Sequence, residues 1–233
     1  MAHQNLGEYL HLSGTRPPIA SFRLTCPSLY EKGVDHDVVV LTEERTYKLH
    51  KMMICLRSEE LRELCEVDLK LEPGSSTEST TRTTLDLTSD DAHAVECMLQ
   101  YLYKDNYFVE EIDVFATQLA DQAQTRHTIP CVNLLHVRVY RLAEKYGLPG
   151  LRDLALRKFG TAAEERWDTE DFLHAANEVY QTSGTLDRDL HNVVVRVFAT
   201  RKGALIRKDR TTTLLMRIPL LAIHLLKFPN QWL

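Results

Sequence analysis

The residues of this 233-residue chain best suited to chemistry are its ten histidines and five cysteines. A thiolate becomes a useful nucleophile beside a base that takes its proton. One close pair is His50 with Cys55, five positions apart. Side chains meet on a helix face at spacings of three and four, so a spacing of five turns these two apart. The run His127, Cys131, His136 holds three permitted zinc ligands. Structural zinc takes four ligands, commonly as two close pairs; here no fourth follows and Pro130 interrupts the run. There is no GxxxxGK[ST] phosphate loop, and no GxGxxG turn follows a strand. No catalytic residue, metal ligand or cofactor is therefore assigned.

Charge offers one further possibility. Arg201, Lys202, Arg207, Lys208 and Arg210 lie within ten positions and are opposed only by Asp209. A nucleic-acid surface would pair such charges with stacking aromatics, and none accompanies them in the sequence. The chain as a whole carries −5. The cluster reads as a solvated helix end, and no nucleic-acid partner is expected.

The elements that must position these residues come from a chain that is 44% hydrophobic, ample for a sizeable core. No run approaches the ~18 apolar residues of a membrane span, and the first twenty residues lack the hydrophobic segment of an export signal. No membrane partner is expected, and the expected location is intracellular, in cytoplasm and/or nucleus. Cys26, Cys55, Cys65, Cys97 and Cys131 are widely spaced without a CxxC pair, as buried thiols of a reducing compartment would be.

Residues 35–56, DHDVVVLTEERTYKLHKMMICL, predict a hairpin followed by a short helix. The run Val38-Val39-Val40-Leu41 is β-branched and apolar, Glu43-Glu44 supply a polar turn, and Tyr47 and Leu49 alternate with charged neighbours. Residues 59–66 predict a second short helix, with Ser58 as its cap. A third strand is expected over 84–87, then a helix from about Ser89 with Asp90 and Asp91 in its first turn. On it Val95, Met98, Leu99 and Leu102 share a face.

Three blocks carry a resemblance. The hairpin and helix of 35–56, the segment LDLTSDDAHAVECMLQYLYKDNY over 85–107 and the segment VRVYRLAEKYGLPGLRDLALRKF over 137–159 together resemble the BTB/POZ domain. The last block is similar to the helix pair that closes the domain in fungal members. The resemblance implies an α+β BTB/POZ fold: a small three-stranded sheet flanked by a cluster of helices, here with a C-terminal helical extension.

The expected organisation is a tail over 1–20, the BTB/POZ domain over 21–160 and the extension over 161–233. A polar loop interrupts the domain at 72–84 and an insertion at 105–131, in which Ile112, Phe115 and Leu119 suggest a weak helix. A leader helix over 21–32 contains Pro27, where it is expected to start or kink. In the second half, Leu135, Val139, Leu142 and Tyr146 mark one helix face, Gly147 ends that helix and Pro149 starts the next. Stripes at Phe172, Ala175, Ala176, Val179 and at Leu186, Leu190, Val193, Val194, Val197 predict two further helices, joined through Gly184 and docked behind the domain. Leu214, Leu215, Ile218, Leu221, Ala222 and Leu225 suggest a last segment broken by Pro219.

What the resemblance implies about function is binding between proteins. The family's self-association surface corresponds to Leu24, Leu29 and Tyr30 of the leader and to Met52 and Leu56 of the first core helix. Pairing with a second copy or another BTB protein would leave these apolar residues exposed in the monomer. Asp37 and Lys51 match a charged pocket, or form a pair within the chain that orients the hairpin. His50 matches a family histidine expected to be buried and hydrogen-bonded. The alternative is a substrate adaptor of a cullin-based ubiquitin ligase, acting through Glu59, Leu64, Glu66 and Leu69; its hydrophobic-x-glutamate signature is met only in shifted register by Leu64-Cys65-Glu66.

Overall fold

The computed structural model describes residues 27–68, 83–109, 131–181 and 187–227. Leu24, Leu69, Cys26 and His127, nearly all of the 72–84 loop, and Ile112, Phe115 and Leu119 lie outside them, as do Gly184 and Leu186.

Three four-residue strands make the sheet: β1 (Val38–Leu41), β2 (Thr46–Leu49) and β3 (Thr83–Asp86), in the order β2-β1-β3. β1 runs antiparallel to β2, with Val40 opposite Tyr47, and parallel to β3, with Val40 opposite Leu85. The two-residue period puts Val38, Val40, Tyr47, Leu49 and Leu85 on the buried face. The Glu43-Glu44 turn is closed by Thr42, whose N–H and hydroxyl both donate to the Arg45 carbonyl, at 3.0 and 2.9 Å.

Around the sheet stand α1 (Pro27–Lys32), α2 (Lys51–Cys55), α3 (Glu59–Asp68) and α4 (Ala92–Lys104). Pro27 is the first described residue of the leader, and the rest of the expected 21–32 helix lies outside the described residues. The start of α4 lies three residues beyond the expected Ser89. Asp91 is its cap, accepting from the Ala94 N–H at 2.8 Å. Asp90 stays outside the helix, accepting from Lys145 Nζ and the Tyr146 hydroxyl, each at 2.6 Å. A side-chain acceptor satisfies an orphan N–H better than proximity to the helix dipole does, so the cap decides the start. Val95, Met98, Leu99 and Leu102 are fully buried, each contributing about 2 kcal/mol. Glu96, Cys97, Gln100 and Tyr103 are buried as well. α4 is thus enclosed around most of its circumference.

Two long helices, α5 (Val132–Lys145) and α6 (Pro149–Glu165), pack against each other, and α5 packs on α4. Between them Gly147 takes φ +58, and a Cβ there would strike the Glu60 carboxylate of α3. Glycine meets both demands. α6 runs unbroken across residue 160.

Beyond it follow α7 (Glu170–Gln181), α8 (Arg188–Thr200), the single turn α9 (Lys202–Leu205), α10 (Asp209–Arg217) and α11 (Pro219–Lys227). Phe172, Ala175, Ala176 and Val179 are fully buried where α7 meets α5, and Leu190, Val193, Val194 and Val197 are buried on α8, which packs on α6. Pro219 opens α11 rather than interrupting a helix, so the last segment is two helices meeting at Ile218. No helix among the described residues is long and apolar enough to cross a membrane.

Candidate interaction surface

α2 is only five residues long, too short to hold its shape alone, and is fixed by contacts at both ends. At its start the Lys51 N–H donates to Asp37 Oδ1 at 2.7 Å. The expected Asp37–Lys51 pairing is therefore made by the backbone, with the carboxylate capping an orphan N–H; no ion pair to the Lys51 ammonium forms among the described residues.

His50 ties the same corner to the core. Its Nε2 lies 2.7 Å from the Val34 carbonyl, which can only accept, so the proton is on Nε2 and Nδ1 is the acceptor. Nδ1 then accepts from the Tyr103 hydroxyl at 3.0 Å, and that oxygen accepts the His50 N–H at 2.8 Å. The histidine is hydrogen-bonded as expected but half-buried, because the turn carrying Val34 is at the surface.

At the far end Ser58 caps α3, its Oγ accepting from the Leu61 N–H at 3.0 Å and donating to the Tyr146 carbonyl at 2.8 Å. The Arg57 guanidinium donates to Asp105 Oδ1 at 2.5 Å and to the Tyr101 carbonyl at 3.3 Å, closing the end of α4.

With both ends held, α2 buries Met53 and Ile54 and turns Met52 outward, 55% exposed, with Leu56 just beyond its end 73% exposed. Leu29 and Tyr30 are packed against the core instead. Tyr30 lies 5.5 Å from the Tyr103 ring, so these two anchor the leader to α4 and are not an open face. On α3, Glu59, Leu64 and Glu66 are exposed while Leu61 and Cys65 are buried, and Arg62 pairs with Glu59. Leu64-Cys65-Glu66 thus presents its first and third residues inside the helix rather than after it.

Burial pushes the Cys65 thiol up to about 12, helped by neighbouring Cys55, and burial also raises Cys97 and Cys131. A nucleophilic thiol needs the opposite. Of the supposed zinc run, Cys131 is exposed at the start of α5 and His136 is buried inside, its Nδ1 2.9 Å from the Tyr107 hydroxyl. Burial holds His136 down at about 3.

Three features escape a linear reading because their parts are distant in sequence. Asp171 of α7 accepts the Asn133 and Leu134 N–H groups at 2.8 and 3.2 Å, capping α5 from a different helix. Trp167 lies between Arg201 and Lys208, 5.5 and 5.3 Å from the two cations. The basic cluster does meet an aromatic, and two of its charges are engaged there. Finally, Met216, Leu220, Ile223 and Leu226 are exposed on α10 and α11, opposite the stripe that the sequence marks as buried. PLLAIHLLK carries only His224 and Lys227 as polar residues, too few to mark its outward side by pattern.

No curated protein matches the chain. The BTB/POZ domain matches residues 27–159, from the first residue of α1 to Phe159 in α6. That span contains the sheet, the capped α2 and the helix pair that closes the core, and it covers more than half of the chain. With its small mixed sheet, its predominantly helical surround and its helical extension, the chain belongs to the BTB/POZ domain family, whose members are protein–protein interaction modules.

Proposed function

We propose that the chain is a noncatalytic interaction module that pairs, through α2 and its surroundings, with a second copy of itself or with another BTB chain inside the cell. The observation that supports this most directly is the exposure of Met52 and Leu56 on a short helix held rigid by Asp37, His50 and Ser58. Ordering cost is already met before a partner arrives, which favours binding. We further take the chain as a fungal-type member whose interaction domain occupies 21–160, with 161–233 as its helical support; the α5–α6 closing pair supports the domain assignment, while α6 itself continues across residue 160 to Glu165 and joins the two parts.

The test is molar mass by light scattering across a concentration series, repeated with an equimolar cullin N-terminal fragment. A concentration-dependent dimer with no cullin complex supports pairing. A monomer under all conditions overturns self-pairing and leaves a heterologous partner, such as another BTB chain, as the remaining form of the proposal.

A cullin adaptor is the second reading, favoured by the exposed Leu64 and Glu66 on α3. It requires a defined complex with the cullin fragment that is lost on reversing Glu59 and Glu66.

A further inference from the structure

Four apolar side chains of the last two helices face outward: Met216, Leu220, Ile223 and Leu226, 77, 48, 44 and 87% exposed. Their surroundings are basic. Between 201 and 227 stand seven Lys or Arg and one Asp, in a chain whose net charge is −5. Arg201 and Lys208 lie against Trp167, and Arg210 pairs with Glu170. Lys202, Arg207, Arg217 and Lys227 make no ion pair among the described residues.

α3 offers the complement. Over 59–66 it carries four glutamates and one arginine, with Leu64 exposed among them. Glu63 makes no ion pair among the described residues. Neither surface covers the other within one molecule, since both are exposed. Neither can pair with its own copy without setting like charges together.

We propose that a second copy of the chain docks its acidic α3 face on the basic α10–α11 face of the first, head to tail. Apolar contact supplies the attraction and opposite charge the register. Such a contact is heterologous: each bound copy leaves one surface of each kind free, so assembly continues as an open chain or closes as a ring. It uses faces other than α2 and does not depend on pairing there.

The test is sedimentation velocity on the full chain carrying Leu56→Asp, which removes pairing through α2. Runs are made at about 50 and about 500 mM salt, where Debye lengths are roughly 14 and 4 Å. The expected result is species heavier than a dimer that grow with concentration at low salt, with association roughly tenfold weaker at high salt. A tail variant (Ile223→Glu with Leu226→Glu) and a head variant (Glu63→Lys with Leu64→Lys) each stay monomeric alone. Mixed, they form a one-to-one complex, because the intact α3 of one meets the intact α11 of the other. A charge-only pair, Lys227→Glu and Glu66→Lys, repeats the experiment if circular dichroism shows that either apolar change unfolds the chain. The proposal is overturned by a monomeric parent at low salt, which would leave α11 to a different partner. It is equally overturned by variants that stay monomeric when mixed, or by association that persists in either variant alone.

Discussion

The Tyr103 hydroxyl engages His50 twice, accepting its backbone N–H at 2.8 Å and donating to its imidazole Nδ1 at 3.0 Å. One phenol thus fixes the entry to α2 and holds the ring whose other nitrogen reaches the Val34 carbonyl. Tyr103→Phe keeps the ring packing and strands both partners, so the expected loss is about 1–3 kcal/mol, measured by urea unfolding. An unchanged midpoint would show that water replaces the hydroxyl without cost.

Leu56 contributes nothing to the core and is mostly exposed. Leu56→Asp should therefore leave the unfolding free energy within about 0.5 kcal/mol of the parent while weakening pairing through α2 by tenfold or more, about 1.4 kcal/mol. The two readouts are thermal unfolding and the light-scattering concentration series. A large loss of stability would mean that Leu56 packs in a way its exposure denies.

Acid should destabilise the fold through its buried imidazoles. Free histidine titrates near 6.5, and burial holds His136 at about 3. Between those values the unfolded chain binds a proton that the folded chain does not. Stability is thus full above about pH 6.5 and falls below it, by ~2 kcal/mol at pH 5 for this one group. His191, lowered by burial and by neighbouring His224, acts in the same direction. His136→Gln should flatten the limb between pH 6.5 and pH 4 in a plot of unfolding free energy against pH. An unaltered slope would place the titration elsewhere.

Asp171 caps α5 through a contact spanning 38 residues of sequence. Asp171→Ala should cost about 2 kcal/mol, since two N–H groups lose a charged acceptor in a buried place, and Asp171→Asn, which keeps one acceptor, about half that. Hydrogen exchange at Asn133 and Leu134 is the local check: both amides should lose protection before the rest of α5.

What the sequence made readable follows from what periodicity can carry. The strands of the hairpin and the stripes at 95–102, 172–179 and 190–197 were legible because burial leaves a regular signature in residue type. The start of α4 was misplaced because Asp90 and Asp91 are identical in type and differ only in what reaches them: Lys145 and Tyr146 claim the first, the Ala94 N–H the second. Leu29 and Tyr30 were placed on the pairing surface by resemblance, and no local pattern shows that the Tyr30 ring lies against Tyr103. The outward row on α11 was hidden for the opposite reason. Where only His224 and Lys227 interrupt an apolar helix, the pattern does not say which face the fold covers.

The helix α6, continuous from Pro149 to Glu165, gives the match that ends at Phe159 a mechanical consequence. A fragment ended there would stop inside a helical turn, removing the buried Ala162 and Ala163 and leaving the buried Phe159 as the chain's last residue. The same rod couples the two halves in the intact chain. It packs on α5 within the matched span and on α8 beyond it, so a cut at Phe159 would part the domain from its extension in mid-helix, not at a joint.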